Sequence, residues 1–186
     1  MDSGMDNCMA RISIVGTTGS GKTTLARQVA QRCLIPHVEL DALQWEPNWT
    51  PAEPQVFYDR VTAALSGDRW VVDGNYSAVR DLVWARADTI VFLDYPFGLV
   101  LGRLLKRTLR RSLYQEELWN GNRETFRQSF FSRDSILIWL LRTYWKKRQQ
   151  YPALFQQPEY AHLSTVHLRS PKATEEWLLS YDQHSV

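Results

Sequence analysis

Gly16-Thr17-Thr18-Gly19-Ser20-Gly21-Lys22-Thr23 matches the pattern G-x-x-x-x-G-K-[ST], between an apolar run at residues 11–15 (RISIV) and a helical pattern over residues 22–32. A strand, then a glycine loop, then a helix is the order that separates a working anion cradle from a chance match. Glycines let backbone N–H groups turn inward, and the helix start adds the positive end of its dipole, so phosphate oxygens can be held with few side chains. Lys22 supplies a full charge near a β/γ-phosphate bond, and Thr23 offers a hydroxyl oxygen to Mg²⁺. A nucleoside triphosphate, ATP with Mg²⁺, is the expected ligand. Gly16, Thr17, Thr18, Gly19, Ser20, Gly21, Lys22, Thr23 and Thr24 are the expected binding set.

The alternation continues downstream. Residues 37–40, 69–73, 89–94 and 164–168 read as strands, and residues 51–65, 77–87, 97–111, 132–149 and 173–181 as helices, with Pro51 in the first turn of one and Ser77 capping the next. Residues 41–50 read as a Trp-rich loop, and residues 112–131 as a polar stretch broken by Asn120-Gly121-Asn122. The middles of RWVVD and TIVFLD do not alternate polar with apolar, as expected of strands covered by helices on both faces. The order of elements predicts an α/β fold with an open parallel sheet of about five strands. Residues 1–10 read as a polar leader and 11–186 as one domain, in which 103–150 form a basic helical lid or insertion.

Charge is segregated along the chain. The net charge is +2, yet residues 101–150 carry 12 basic and 4 acidic side chains. Arg103, Lys106, Arg107, Arg110 and Arg111 recur at helical spacing, while Leu101, Leu104, Leu105 and Leu109 give the same helix a packing stripe. Guanidinium groups fork onto phosphate oxygens and stabilise moving phosphoryl charge, so Arg107, Arg110 and Arg111 are candidate catalytic residues. Arg123, Arg127 and Arg133 are further donors. A nucleic-acid backbone would attract the same cations, but no zinc-finger spacing, paired stacking aromatics or recognition helix accompanies them, so nucleic-acid contact is not favoured. Lys146-Lys147-Arg148 reads as the basic end of a helix, with a part in an oligomeric or phosphate surface as the alternative.

Apolar residues make up 44% and charged residues 23%, which excludes a disordered or fibrous chain. Cys8 and Cys33 are too few for a disulfide scaffold or a cysteine metal site, and no apolar run reaches 18 residues. A cytoplasmic protein without membrane insertion is expected.

Three carboxylates follow strands. Asp73 closes an apolar strand and is placed to serve a magnesium ion or an entering hydroxyl at the loop's edge. Asp94 has a similar position, with helix capping as the competing reading. Asp41 can accept a proton from an attacking hydroxyl or orient it. Trp45 and Trp49 read as an acceptor wall or as cover for the sheet edge, and Glu39 as facing solvent or pairing locally.

The ordered set GTTGSGKTTLA (16–26), LDALQW (40–45), WVVDGNY (70–76), FLDYP (92–96), ELWNGNRE (117–124) and HLRSPKATEEWL (167–178) resembles the adenylate kinase-like branch of P-loop kinases. It most resembles the small proteins labelled DNA topology modulation proteins. The resemblance implies a P-loop NTPase sheet, phosphate binding by Gly21, Lys22 and Thr23, and Asp73 as the acid of the metal-binding strand. It further implies Arg103 packing on adenine, Arg107 reaching phosphate, and the turn from Arg169 to Lys172 contacting adenine. Where adenylate kinases carry Gly-Phe-Pro-Arg, this chain has Gly74-Asn75-Tyr76-Ser77, with Arg80 one turn on. Asp41 resembles the post-strand acid of shikimate and gluconate kinases, whose acceptor is a hydroxyl. The expected activity is ATP-dependent phosphoryl transfer to a nucleotide or small hydroxylated metabolite. The alternatives are a slow ATPase or a nucleotide-controlled nucleic-acid or protein-binding module.

Overall fold

The computed structural model describes residues 11–114, 116–122 and 136–182. The leader with Cys8, and Arg123, Arg127 and Arg133, lie outside these residues. In chain order the elements are β1 (Arg11–Gly16), α1 (Lys22–Cys33), β2 (His37–Glu39), α2 (Leu40–Gln44), β3 (Trp45–Glu46), β4 (Thr50–Pro51), α3 (Pro54–Ala64), β5 (Trp70–Asp73), α4 (Ser77–Arg86), β6 (Thr89–Leu93), α5 (Phe97–Tyr114), α6 (Ile136–Phe155), β7 (Ser164–Leu168) and α7 (Pro171–Asp182).

Five strands pair in the order β2-β5-β1-β6-β7. All are parallel, with Ile14 of β1 beside Asp73 on one side and Val91 on the other. The expected sheet is therefore present. Its strands split their side chains between two buried layers. Ile12, Ile14, Val71 and Val91 pack with Leu25 and Val29 of α1 and Leu104 of α5, whereas Val15, Val72, Ile90 and Phe92 pack with Phe57, Val61 and Trp84 of α3 and α4. Burial on both faces explains why β5 and β6 read as continuous apolar runs. Each such side chain contributes about 1.5–3 kcal/mol on leaving water.

α6 joins the two layers. Leu140 and Tyr144 belong to the first and Tyr151 to the second. The Tyr144 hydroxyl donates to the Tyr95 carbonyl just past β6 at 2.9 Å, and the Tyr151 hydroxyl donates to Asn75 Oδ1 just past β5 at 2.9 Å. The helix thus crosses the carboxyl ends of β6 and β5. It runs six residues beyond the expected end at 149, which puts the 146–148 cations inside the helix and not at its terminus.

Local boundaries differ from the sequence expectation for identifiable reasons. The Trp-rich stretch is not a loop: it forms α2 and an antiparallel β3–β4 hairpin that pairs Trp45 with Pro51. With Pro51 held in that hairpin, α3 starts at Pro54, where a missing N–H costs nothing. Tyr76 is the N-cap residue of α4 and makes no side-chain cap bond, so Ser77 is the first helical residue and not the cap. The arm expected over 103–150 is anchored at both ends, since Leu104, Thr108, Leu140 and Tyr144 are all buried. No described helix is long and apolar enough to cross a membrane.

Candidate functional site

The loop between β1 and α1 opens at the carboxyl edge of the sheet, where β5 and β2 also end. Gly19 has φ 79°, and a Cβ there would sit 2.9 Å from the Val100 carbonyl oxygen, so α5 packs on the loop at a point only glycine allows. Across the strand gap, the Gly16 N–H donates to Asn75 Oδ1 at 3.2 Å, and Asn75 Nδ2 donates back to the Gly16 carbonyl. Gly74 permits this turn: its φ is 143°, and a Cβ would come within 2.7 Å of Leu40 Cβ.

Thr18, Gly19, Ser20, Gly21, Lys22, Thr23 and Thr24 line a crevice of about 2240 Å³, together with Asp41, Asp73, Arg103, Arg107, Arg110 and Arg111. Most of the expected site is thus gathered around one opening. Gly16 and Thr17 lie behind it, buried. Arg169 and Lys172 do not line it. The Lys172 ammonium is exposed and pairs with Glu176 at 3.6 Å, while Pro171 and Thr174 of the same turn face the crevice.

The Lys22 ammonium donates to the Thr17 carbonyl at 3.2 Å. Burial pushes its pKa below the ordinary lysine value, with the Arg107 guanidinium adding to that push and the Asp73 and Asp41 carboxylates opposing it. One ammonium is therefore within electrostatic reach of Asp73 at the end of β5, of Asp41 in the first turn of α2 and of the basic helix. Asp73 is 5% exposed, accepts from the Thr23 hydroxyl at 2.6 Å, and has His37 Nε2 at 2.9 Å from its other oxygen. The Thr23 and Asp73 oxygens are hard donors of the kind Mg²⁺ prefers. Among the described residues no three His, Cys, Asp or Glu side chains converge as a complete metal site, so such an ion would draw its other ligands from water and phosphate.

Asp41 accepts a hydrogen bond from the Tyr76 hydroxyl at 2.6 Å. Burial and the adjacent Asp41 carboxylate push the Tyr76 pKa well up, so the phenol stays a donor. Arg103 donates to the Ser20 carbonyl at 3.2 Å, with its guanidinium carbon 5.1 Å from the centre of the Tyr95 ring. Arg110 and Arg111 approach Glu116 at 2.9 and 4.0 Å. Asp94 is engaged elsewhere: Arg148 Nε lies 3.0 Å from one oxygen and His167 Nε2 2.9 Å from the other, which stitches α6 and β7 to the end of β6.

The hairpin wall is held from a distance. The Trp49 N–H donates to Asn122 Oδ1 at 2.8 Å, and Asn122 Nδ2 donates to the Glu46 and Trp119 carbonyls, both at 2.9 Å. Trp119 Nε1 donates to Glu39 Oε2 at 3.0 Å, so Glu39 neither faces solvent nor pairs only locally. Trp45 and Trp49 meet edge to face at 5.8 Å and both line the crevice.

Sequence reasoning gave no site role to His37, Asn75 or Tyr76, and read Lys147 as part of a helix terminus, with a phosphate surface only as an alternative. Lys147 lines the crevice, and burial, strengthened by Lys22 and opposed by Asp41, brings its pKa from 10.5 down to about 7. The signal for it was present: Leu140, Tyr144, Lys147 and Tyr151 fall at one-face helical spacing.

A family model described as "ATPase family associated with various cellular activities (AAA)" matches residues 12–94. Among solved structures, a sugar kinase from Janibacter sp. HTCC2649 is 18% identical with a TM-score of 0.52, over 95% of this chain and 96% of that one. A shikimate kinase from Bacteroides thetaiotaomicron gives 16% and 0.52 over 94% and 97%. A gluconokinase from Sinorhizobium meliloti 1021 gives 19% and 0.52 over 94% and 92%. This chain shares its fold with these three structures. No curated protein sequence matches the chain significantly. At these identities the likeness is one of architecture, and the chemistry has to come from the site.

Proposed function

We propose that the protein is an ATP-dependent kinase that phosphorylates a hydroxyl group of a small molecule, working in the cytoplasm. The observation that carries this reading is the Lys22 ammonium with Asp73, Asp41 and Arg107 all within electrostatic reach in one crevice. A nucleotide-binding site alone needs the first acid; the second, beside the phosphates and hydrogen-bonded to a hydroxyl already, is what transfer to an acceptor requires.

In this reading the loop amides and Lys22 hold the β- and γ-phosphates, and Arg103 lies against the nucleoside between the loop and the turn before α7. Thr23 and Asp73 would hold Mg²⁺, which when bound offsets charge on the phosphate oxygens, and His37 fixes the Asp73 carboxylate. The acceptor hydroxyl takes the place of the Tyr76 hydroxyl at Asp41, which orients it and receives its proton as the new bond from the hydroxyl oxygen to the γ-phosphorus forms and the bond from that phosphorus to the β,γ-bridging oxygen breaks, with ADP as the leaving group. Arg107 neutralises charge that builds on the phosphoryl group, with Arg110 and Arg111 released from Glu116 as further donors. The ordered motifs that resemble DNA topology modulation proteins belong to the same reading, which requires no DNA contact.

The test is ADP formation from Mg²⁺-ATP across a panel of hydroxylated metabolites and nucleoside monophosphates, with the product identified by mass spectrometry. Acceptor-stimulated ADP release with a phosphorylated product is the expected result. Release of inorganic phosphate with no stimulation by any acceptor would instead support a slow ATPase, the second reading, which the match to an ATPase family model over residues 12–94 favours.

A further inference from the structure

A hydroxyl of the chain itself already stands at the proposed base. The Tyr76 phenol donates to Asp41 Oδ1 at 2.6 Å, and both side chains line the crevice with Gly21, Lys22 and Thr23. The ring is steadied by buried Phe57, which meets it edge to face with centroids 5.2 Å apart. Its backbone is tied to the phosphate loop. The preceding residue, Asn75, exchanges two hydrogen bonds with Gly16, the first residue of that loop, and Tyr76 itself is the N-cap residue of α4. The phenol is thus set against the loop by local structure.

What transfer to a hydroxyl requires meets at this oxygen. Burial and the Asp41 carboxylate raise the Tyr76 pKa, so the phenol keeps its proton until a base takes it during bond formation, and Asp41 is in contact to do so. Positive charge is close at hand. Lys22 and Lys147 both interact electrostatically with Asp41, and Arg107 with Lys22, so a phosphate on this oxygen would lie among cations. Other tyrosines lack the combination. The Tyr160 hydroxyl donates to Asp81 at 2.7 Å, yet neither residue lines the crevice, and the Tyr144 hydroxyl meets only a backbone carbonyl.

We propose that Tyr76 is a self-modification site: when no acceptor is present, its hydroxyl takes the γ-phosphoryl group of Mg²⁺-ATP held at the same chain's phosphate loop, giving O-phosphotyrosine and ADP. In this step the bond from Tyr76 Oη to the γ-phosphorus forms. The bond from that phosphorus to the β,γ-bridging oxygen breaks with its electron pair going to ADP, and the phenolic proton passes to Asp41. The inference rests on the kinase reading and extends it to a hydroxyl of the protein. An acceptor competes with the modification, because both oxygens need the same position at Asp41.

The full chain, first treated with phosphatase, is incubated with Mg²⁺-ATP and no acceptor, then followed by intact-mass spectrometry and peptide mapping. A gain of one HPO₃ group per chain is expected, mapped to Tyr76 and stable to hydroxylamine, with a rate unchanged on dilution because transfer occurs within one chain. Tyr76→Phe should lose the gain, Tyr160→Phe should keep it, and Asp41→Asn should slow it about a hundredfold. An unmodified chain overturns the inference, as does phosphate that maps elsewhere, that hydroxylamine removes from a carboxylate, or that forms at a rate proportional to protein concentration. If Tyr76→Phe does not fold, mapping in the wild-type chain decides. Phosphorylation of an acceptor from the metabolite panel by a chain that never modifies Tyr76 would overturn the inference alone, whereas failure to bind a non-hydrolysable ATP analogue would overturn the kinase reading with it.

Discussion

The two sides of the crevice are built differently. On the nucleotide side, Gly16 to Thr24 are contiguous, and most of the geometry follows from one strand, one loop and one helix start. The proposed acceptor side is assembled from Asp41, Tyr76, the β3–β4 hairpin, Asn122 and Lys147, which are spread over more than a hundred residues. In the proposed function the first side holds a ligand common to many chains through backbone groups that any sequence with the right glycines supplies. On the same proposal the second side chooses among small molecules, and choice requires particular side chains that only tertiary packing brings together. The contrast teaches that a local motif can fix the donor while leaving the acceptor to long-range structure.

The sharpest way to break the comparison is Lys22→Ala. Turnover should fall by about a hundredfold or more, with ATP binding weakened and the melting temperature nearly unchanged. Parallel turnover, nucleotide-binding and melting measurements check this, and undiminished turnover would remove the nucleotide side from the chemistry. Asp41→Asn sharpens the contrast from the other side. Acceptor-dependent ADP formation should drop roughly a hundredfold, while ATP affinity stays within about twofold of wild type on the same order-of-magnitude scale. An equal loss of ATP affinity would mean that the two sides are not separable.

Asn122→Ala removes a buried side chain that makes three hydrogen bonds to the hairpin turn and to its own loop. A loss of about 1–3 kcal/mol is expected in denaturant titration, with the acceptor KM raised and nucleotide affinity intact. The smallest effect concerns pH. Lys147, which has Lys22, Asp41, Tyr76 and Arg80 around its part of the cleft, titrates near 7 when folded and near 10.5 when unfolded. Below about 7 both states carry the proton, and the folded chain bears the cost of desolvating the half-buried charge. That cost is relieved as pH rises from about 7 toward 10.5. Lys147→Met should therefore melt higher than wild type at pH 6, with the gap closing toward pH 10; a gap independent of pH would count against a buried, titrating ammonium.

The sheet, its parallel order and the phosphate loop were legible because each depends on patterns within a few residues: apolar runs, glycine spacing and a helix start. The pairing of Glu39 with Trp119 was not, because it spans 80 residues and neither side chain announces its partner. Asp94 and Asp73 look alike in sequence, each closing an apolar strand. Only the approach of Arg148 and His167 to the one, and of Thr23 and His37 to the other, tells them apart. Lys147 was hidden by its neighbours: three consecutive cations suggest an exposed terminus, and the helical stripe that includes the middle one shows only when Tyr151 is counted as part of the same helix.

Because α6 is tied into the core above and below the sheet, neither half can loosen without dragging on the other. Backbone amides around Tyr144 and Tyr151 should exchange with deuterium as slowly as those of the central strand, through whole-molecule opening and not local fraying. Heat should then melt the chain in one sharp transition, and a bound ligand that touches Lys147 would raise the melting point of both halves together.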